Sequence, residues 1–188
     1  RYLERARKWV HTLNSHFWDH QNGGYFQTAD FSDPLIARVR SAVDQIIPCA
    51  NGIMPAVLTR LYFATADNMY RSSSNALVEA FSGELNTAYL GMTTFINSFE
   101  TVVNGMQIVI VGSIASPRTH ELINAVLGRA LPNKLIMRVD PKDTLPPRHP
   151  AYGKTMVEGQ ATAYICQQQS CSQPVTSPVE LSQLLMPA

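Results

Sequence analysis

The sequence predicts an α+β fold, mainly α, with helical hairpins over residues 1–105 and a small α/β part over 106–188 packed on them as one compact unit. Three observations carry that expectation. Apolar residues recur at helical spacing through the first half; the continuous apolar run Ile108-Val109-Ile110-Val111, closed by Gly112, opens the second; and an amphipathic stretch followed by Leu135-Ile136-Met137 completes a strand, helix, strand pattern. A chain of 188 residues is long enough for one sizeable core or two small subdomains.

In order along the chain, Tyr2, Ala6, Trp9, Leu13 and Phe17 share a helical stripe, and this helix delivers Trp18 and Asp19 to a turn. Gly23 and Gly24 take positive φ at little cost, so the chain reverses there and enters an extended piece, Tyr25-Phe26-Gln27-Thr28. A short segment, 35–43, ends at Asp44. Pro48 then introduces a longer helix with a broad apolar face of Ile53, Met54, Val57, Leu58, Leu61 and Tyr62, and Asn51 and Gly52 lie at its beginning, where backbone N–H groups are free for an acceptor. Asp67 caps the next helix, which buries Tyr70, Leu77 and Phe81 before Gly83 ends it. A third run puts Leu85, Ala88, Met92, Phe95 and Phe99 on one stripe, and the short connections imply antiparallel neighbours.

The second half begins at about Gly105. Its first strand, 108–111, reads as covered on both faces; Ser116 caps a helix with Pro117 at its first position, and Leu122, Ile123, Val126 and Leu127 supply the buried side. After Pro132-Asn133, the strand 135–137 completes a βαβ unit, normally parallel. The Gly112-Ser113 turn lacks a glycine-rich phosphate fingerprint and reads as a plain connection. A proline-rich passage, 141–150, crosses the surface, 161–166 is a further strand, and Ser177 with Glu180 forms a capping box for a last short helix, 179–185.

Composition excludes several function classes. The formal charge is +1 with no dominant Lys/Arg cluster, so the footprint of a nucleic-acid binder is absent. No apolar run reaches bilayer length, and mean hydropathy is close to zero, so no membrane partner and a cytoplasmic location are expected. The chain opens on Arg1 inside an amphipathic helix, which suggests an upstream segment. Three cysteines do not make a secreted disulfide framework. Cys166 and Cys171 are too far apart for a thioredoxin-type redox pair and lack further zinc ligands, so reduced structural thiols are expected.

The segment from Phe17 to Asp30 carries the densest chemistry: aromatics, carboxylates and a double glycine around one turn. Such a turn suits a sugar, whose rings stack on Trp18 and Tyr25 while carboxylates such as Asp19 accept from hydroxyls. The same aromatics equally serve to bury apolar area at a helix end. His16 and His20 stand one helical turn apart with Asp19 beside them, a weak metal pattern that lacks the His-Glu-x-x-His arrangement, so no metal and no cofactor are expected.

The order Phe-Trp-Asp, Gly-Gly-Tyr-Phe, Thr-Ala-Asp, Asp44 with Pro48 and Asn51, the Val-Ile-Val-Gly strand, Leu131-Pro132-Asn133-Lys134, and the closing Ala163-Tyr164-Ile165-Cys166 with Cys171 and Pro174-Val175 resembles the C-terminal part of the YyaL / spermatogenesis-associated protein 20 family. The resemblance covers essentially the whole chain. It implies a thioredoxin-like domain followed by an (α/α)6 toroid similar to N-acylglucosamine 2-epimerases and six-hairpin glycosidases. This chain is expected to lack the thioredoxin-like domain and the first hairpins, leaving an incomplete toroid followed by the small α/β subdomain. The resemblance also implies that Asp30, Arg38, Asp44 and Asn51 line a pocket at one end of the inner helices. Gln45, Ile46 and Cys49 depart from the family's small residues and are expected to narrow or plug it.

Three functions follow as expectations. The first is a non-enzymatic binding or interaction module, a truncated or fragmentary relative whose uncovered helix faces pair with a second copy as a homodimer. The second is a carbohydrate-active or sugar-binding module, with Asp30 and Asp44 as candidate acid and base, Arg38 as charge partner, and Trp18, Asp19, Tyr25 and Asn51 as substrate contacts. The third is a thiol or metal site using the cysteines or His16 and His20.

Overall fold

The computed structural model describes residues 1–33, 36–167 and 170–186. Helices outweigh strands, as the α+β, mainly α reading requires. Two compact units emerge: one from Arg1–Tyr62 with Asp67–Val103, the other from Phe63–Ala66 with Asn104–Ala188.

In the first unit, α1 (Tyr2–His16) is followed by a long irregular segment, then α2 (Ala50–Thr65), α3 (Asn68–Ser82), the single turn α4 (Leu85–Ala88), a 3-10 turn (Tyr89–Gly91) and α5 (Thr93–Asn104). The core is built from Val10, Tyr25, Ala42, Met54, Leu58, Leu61, Tyr70, Leu77, Phe81, Met92 and Phe95. α1 turns most of the expected stripe inward: Ala6, Leu13 and Phe17 pack on the core together with Val10, while Tyr2 and Trp9, also expected there, stand largely in solvent. Asp67 caps α3 by accepting the N–H of Met69 at 3.0 Å. Pro55 sits inside α2, and its carbonyl accepts the hydroxyl of Ser74 at 2.9 Å, with Thr59 adding a second contact to Ser74. This polar pair pins α3 to α2 within an apolar core.

Two expected elements are interrupted. The extended piece 25–28 does not form a strand; an isolated bridge joins Trp18 and Tyr25, and the irregular chain continues. The stripe from Leu85 to Phe99 is broken at 89–91, because Gly91 brings its backbone against Val43 and gives its carbonyl to the N–H of Asp44 at 2.6 Å. Of the 35–43 segment, Leu35 lies outside the described residues, and 37–45 carry no regular structure.

The second unit holds a sheet of order β2-β1-β3-β4, with β1 (Met106–Val111), β2 (Lys134–Val139), β3 (Thr162–Gln167) and β4 (Ser170–Cys171). β1 runs parallel to β2 and antiparallel to β3. As expected of a continuous apolar run, β1 is covered on both faces: Ile108 and Ile110 pack with Leu122 and Val126 of α6 (Pro117–Leu127) and Leu181 of α7 (Pro178–Leu184), while Val109 and Val111 pack with Val139 and Ala151. Ser177 caps α7 through the N–H of Glu180, whereas Ser116 begins α6 without a side-chain cap. Leu127, expected on the buried side of α6, is exposed. Cys166 and Cys171 face each other across β3 and β4 and form a disulfide, which corrects the expectation of reduced thiols: antiparallel pairing sets their Cα atoms 4.0 Å apart, a proximity that sequence spacing does not reveal.

Candidate functional site

Between α1 and α2, the described residues Phe17 to Asp33 and Ile36 to Cys49 are held by side chains where a sheet ladder is missing. Gly23 and Gly24 both adopt positive φ, and a Cβ on Gly24 would stand 2.7 Å from the ring of Phe81. Only glycine lets the turn lie on that ring. Around it, Asp19 N–H donates to Gly24 O at 2.8 Å and Phe26 N–H to Phe17 O at 2.8 Å. Tyr25 is thereby drawn into the core, its ring edge-on to Trp18 at 4.9 Å and its hydroxyl donating to Asn14 at 2.7 Å. Burial pushes the Tyr25 hydroxyl pKa up, so it stays protonated.

Asn51 reaches the same residue from the first turn of α2. Its Oδ1 accepts Tyr25 N–H at 2.7 Å, and its Nδ2 donates to Tyr25 O and Ser41 O, each at 2.9 Å. The amide is fully used. The N–H groups beside it are also engaged, since Gly52 donates to Cys49 O.

Asp19 is buried and accepts from the N–H groups of Gln21 and Asn22 and the Asn22 side chain, with the Arg40 guanidinium 3.2 Å away. Burial works against its charge, but these donors and Arg40 outweigh it and hold the carboxyl below the usual 3.8. Arg40 also donates to Asn22 O and Gly23 O and lies over Phe81. Sequence reasoning passed over this arginine, because nothing local distinguishes it from Arg38; its role appears only when the turn folds back onto it.

Asp30 and Arg38 gather around His16. The Asp30 carboxylate meets His16 Nδ1 at 3.0 Å, and Phe31 stands edge-on to the same imidazole. Arg38 donates to the carbonyls of Thr28 and His16 and stacks over Phe26 at 4.2 Å. α1 ends at His16, and His20 lies beyond it in the turn, so the two imidazoles do not share a helical face. Among the described residues no three His, Cys, Asp or Glu side chains are grouped to hold a metal ion.

Asp44 is engaged elsewhere. One oxygen accepts Cys49 N–H at 2.9 Å, and the other accepts Thr94 N–H at 2.8 Å and the Thr93 hydroxyl at 3.0 Å. Burial again opposes the charge, and these bonds again outweigh it, so the carboxyl titrates below 3.8. Asp30 and Asp44 therefore belong to separate hydrogen-bond clusters.

A cavity of about 240 Å³ opens among Tyr25, Phe26, Gln27, Gln45, Cys49 and Asn51. Of the residues expected to line a pocket only Asn51 borders this cavity, while Asp30, Arg38 and Asp44 do not; Gln45 and Cys49 line it, and Ile46, expected to help plug the pocket, is fully exposed and not among the lining residues. The Cys49 thiol donates to Ser41 O at 2.8 Å.

No family model matches the chain. Similarity to curated proteins is extensive: spermatogenesis-associated protein 20 of Homo sapiens is 31% identical over 191 residues, covering 99% of this chain and 24% of the human protein. The Mus musculus and Rattus norvegicus proteins of that name are each 30% identical over 189 residues, with 98% of this chain and 24% of each relative covered. The chain corresponds to part of the spermatogenesis-associated protein 20 family. It spans about a quarter of the length of the curated relatives it matches. Among its described residues no helix is long and apolar enough to cross a membrane. The family resemblance read from the Phe-Trp-Asp, Gly-Gly-Tyr-Phe and Asp44-to-Asn51 residues thus coincides with the segment whose side chains build the turn and the cavity.

Proposed function

We propose that this part of the spermatogenesis-associated protein 20 family is a non-enzymatic interaction module that self-associates. One observation carries the reading: the polar groups that would have to act on a substrate are consumed in holding the chain. Asp19 and Asp44 each accept backbone N–H groups and side-chain donors across both oxygens, the Asn51 amide is fully bonded, and Arg38 is spent on two carbonyls. A catalytic acid and base need free oxygens at a common substrate and separated pKa values; here the buried Asp19 and the half-buried Asp44 are both held ionised by their donors, and Asp30 sits apart from them on His16.

Beside Asp44 the first unit leaves large aliphatic side chains in solvent. The bond from Asp44 N–H to Gly91 O sets the loop carrying Val43, Ile46 and Ile47 beside the turn carrying Tyr89 and Leu90. Ile46 is fully exposed, Ile47 is 73% exposed and Leu90 78%. A patch of this kind on a chain with a net charge of only +1 is suited to pairing with its own copy across a two-fold axis. Light scattering on the purified chain tests this: a dimer is expected, converted to monomer by Ile46→Asp with Leu90→Asp, and a wild-type monomer at micromolar concentration rejects it.

A second reading, sugar binding, is supported by the mixed aromatic and amide lining of the 240 Å³ cavity at Tyr25, Phe26, Gln27 and Asn51. Thermal-shift measurements with mono- and disaccharides separate the two, since a neutral sugar that stabilises the chain requires the cavity to be a site.

A further inference from the structure

The 240 Å³ cavity opens onto the exposed aliphatic patch. Val43 and Ile47 belong to both: each borders the cavity, and each also meets solvent, Val43 at 36% and Ile47 at 73% exposure. Ile46, between the lining residues Gln45 and Ile47, is fully exposed at the tip of a turn in which Gln45 N–H donates to Ile47 O at 3.3 Å. We propose that a second copy of this chain closes the cavity mouth with its Ile46, and that the closure is reciprocal, each copy seating the other's side chain. This rests on the self-association proposed above and names the residue and the site through which it acts.

The cavity suits an apolar occupant. Phe26, Val43, Ile47 and Pro48 supply carbon surface, while the Asn51 amide is fully bonded to Tyr25 and Ser41 and the Cys49 thiol donates to Ser41 O. A polar ligand finds few free partners there, and an apolar side chain leaves none of these groups stranded. At 240 Å³ the space also falls below the roughly 300 Å³ at which small-molecule pockets begin, a size for a side chain and not for the body of a ligand.

The Ile46 turn is held in place before any partner arrives. Asp44 N–H donates to Gly91 O at 2.6 Å and the Asp44 carboxylate accepts Cys49 N–H at 2.9 Å, so the turn is clamped at both ends and little ordering remains to be done on pairing. No residue lining the cavity carries a charge at neutral pH, so a two-fold pair brings no like charges together at the mouth. Val43, Ile46, Ile47, Tyr89 and Leu90 leave on the order of 600 Å² in solvent, most of the roughly 800 Å² that each partner of a stable pair buries. Projection and cavity lie on one loop, and a patch that meets its own copy across a two-fold axis must carry both.

The test follows alkylation of Cys49, the one free cysteine among the described residues, by a bulky maleimide in the 188-residue chain. Reaction is read by mass below and above the concentration at which light scattering shows pairing. Cys49 lines the cavity, so its reaction is expected to slow about tenfold where about nine-tenths of the chain is paired, since only the unpaired fraction reacts. Ile46→Asp with Leu90→Asp should react at the unpaired rate at every concentration. Gln45→Cys in a Cys49→Ser chain puts a thiol on the exposed wall of the same cavity and gives a readout independent of the Cys49 bond to Ser41. A dimer in which neither thiol is protected overturns this inference and leaves self-association standing. A monomer at every concentration overturns both. Protection by a mono- or disaccharide without pairing assigns the cavity to a ligand and likewise overturns the inference.

Discussion

Asp44 accepts the backbone N–H of Thr94 at 2.8 Å while its other oxygen accepts that of Cys49 at 2.9 Å. Cys49 immediately precedes α2 and Thr94 lies in the first turn of α5, so one carboxylate from an irregular loop serves the N-termini of two helices. Its negative charge faces both positive dipole ends.

Asp44→Ala therefore removes two caps at once. A loss of roughly 2 kcal/mol or more is expected in urea unfolding, larger than for an ordinary surface acid. Asp44→Asn retains one acceptor oxygen and should fall between alanine and wild type.

Asp19 and Asp44 both titrate lower in the folded chain than in an unfolded one. A depressed carboxylate contributes stability that is complete above its unfolded pKa and disappears as pH falls through the folded one. The thermal midpoint should hold down to about pH 4 and then drop as the medium becomes more acidic. The drop should be shallower in Asp44→Ala, measured by circular dichroism across an acid series.

Thr119 is fully buried in the second unit, and its hydroxyl has no partner among the described residues. It presses on Gly112, where a Cβ would collide with it. Thr119→Val keeps the shape and removes the orphan group, so the variant should be at least as stable as wild type, by up to about 1 kcal/mol. Gly112→Ala should destabilise. Paired denaturation curves decide both.

Cys166 and Cys171 close a short loop at the end of the sheet. Chain-entropy reasoning for so short a loop gives about 2 kcal/mol. Reduction, or Cys166→Ser with Cys171→Ser, should lower the melting temperature by a few degrees while leaving far-ultraviolet dichroism unchanged.

Much of this was legible from residue patterns. The β1 run, the Asp67 and Ser177 caps and the Tyr70, Leu77, Phe81 face depend on neighbours a few positions away, and periodicity reports such neighbours directly. The misses share a cause. Tyr2 and Trp9 are apolar yet exposed, Leu85–Phe99 breaks at Gly91, and Arg40 reaches back to Asp19; each outcome is set by residues distant in sequence. Around the candidate site, the residue types from Phe17 to Asn51 were visible, but not that their polar atoms would be turned inward on the backbone.

The Asn51 amide offers Tyr25 one acceptor and one donor at the spacing of a neighbouring peptide, and gives its remaining hydrogen to Ser41. No other side chain substitutes cleanly: aspartate cannot donate, glutamine is a methylene too long, and histidine has only two ring nitrogens. Position 51 thus tolerates a one-letter alphabet for reasons of architecture alone. A residue that never varied there would mark a splint for the main chain and not a point of chemistry.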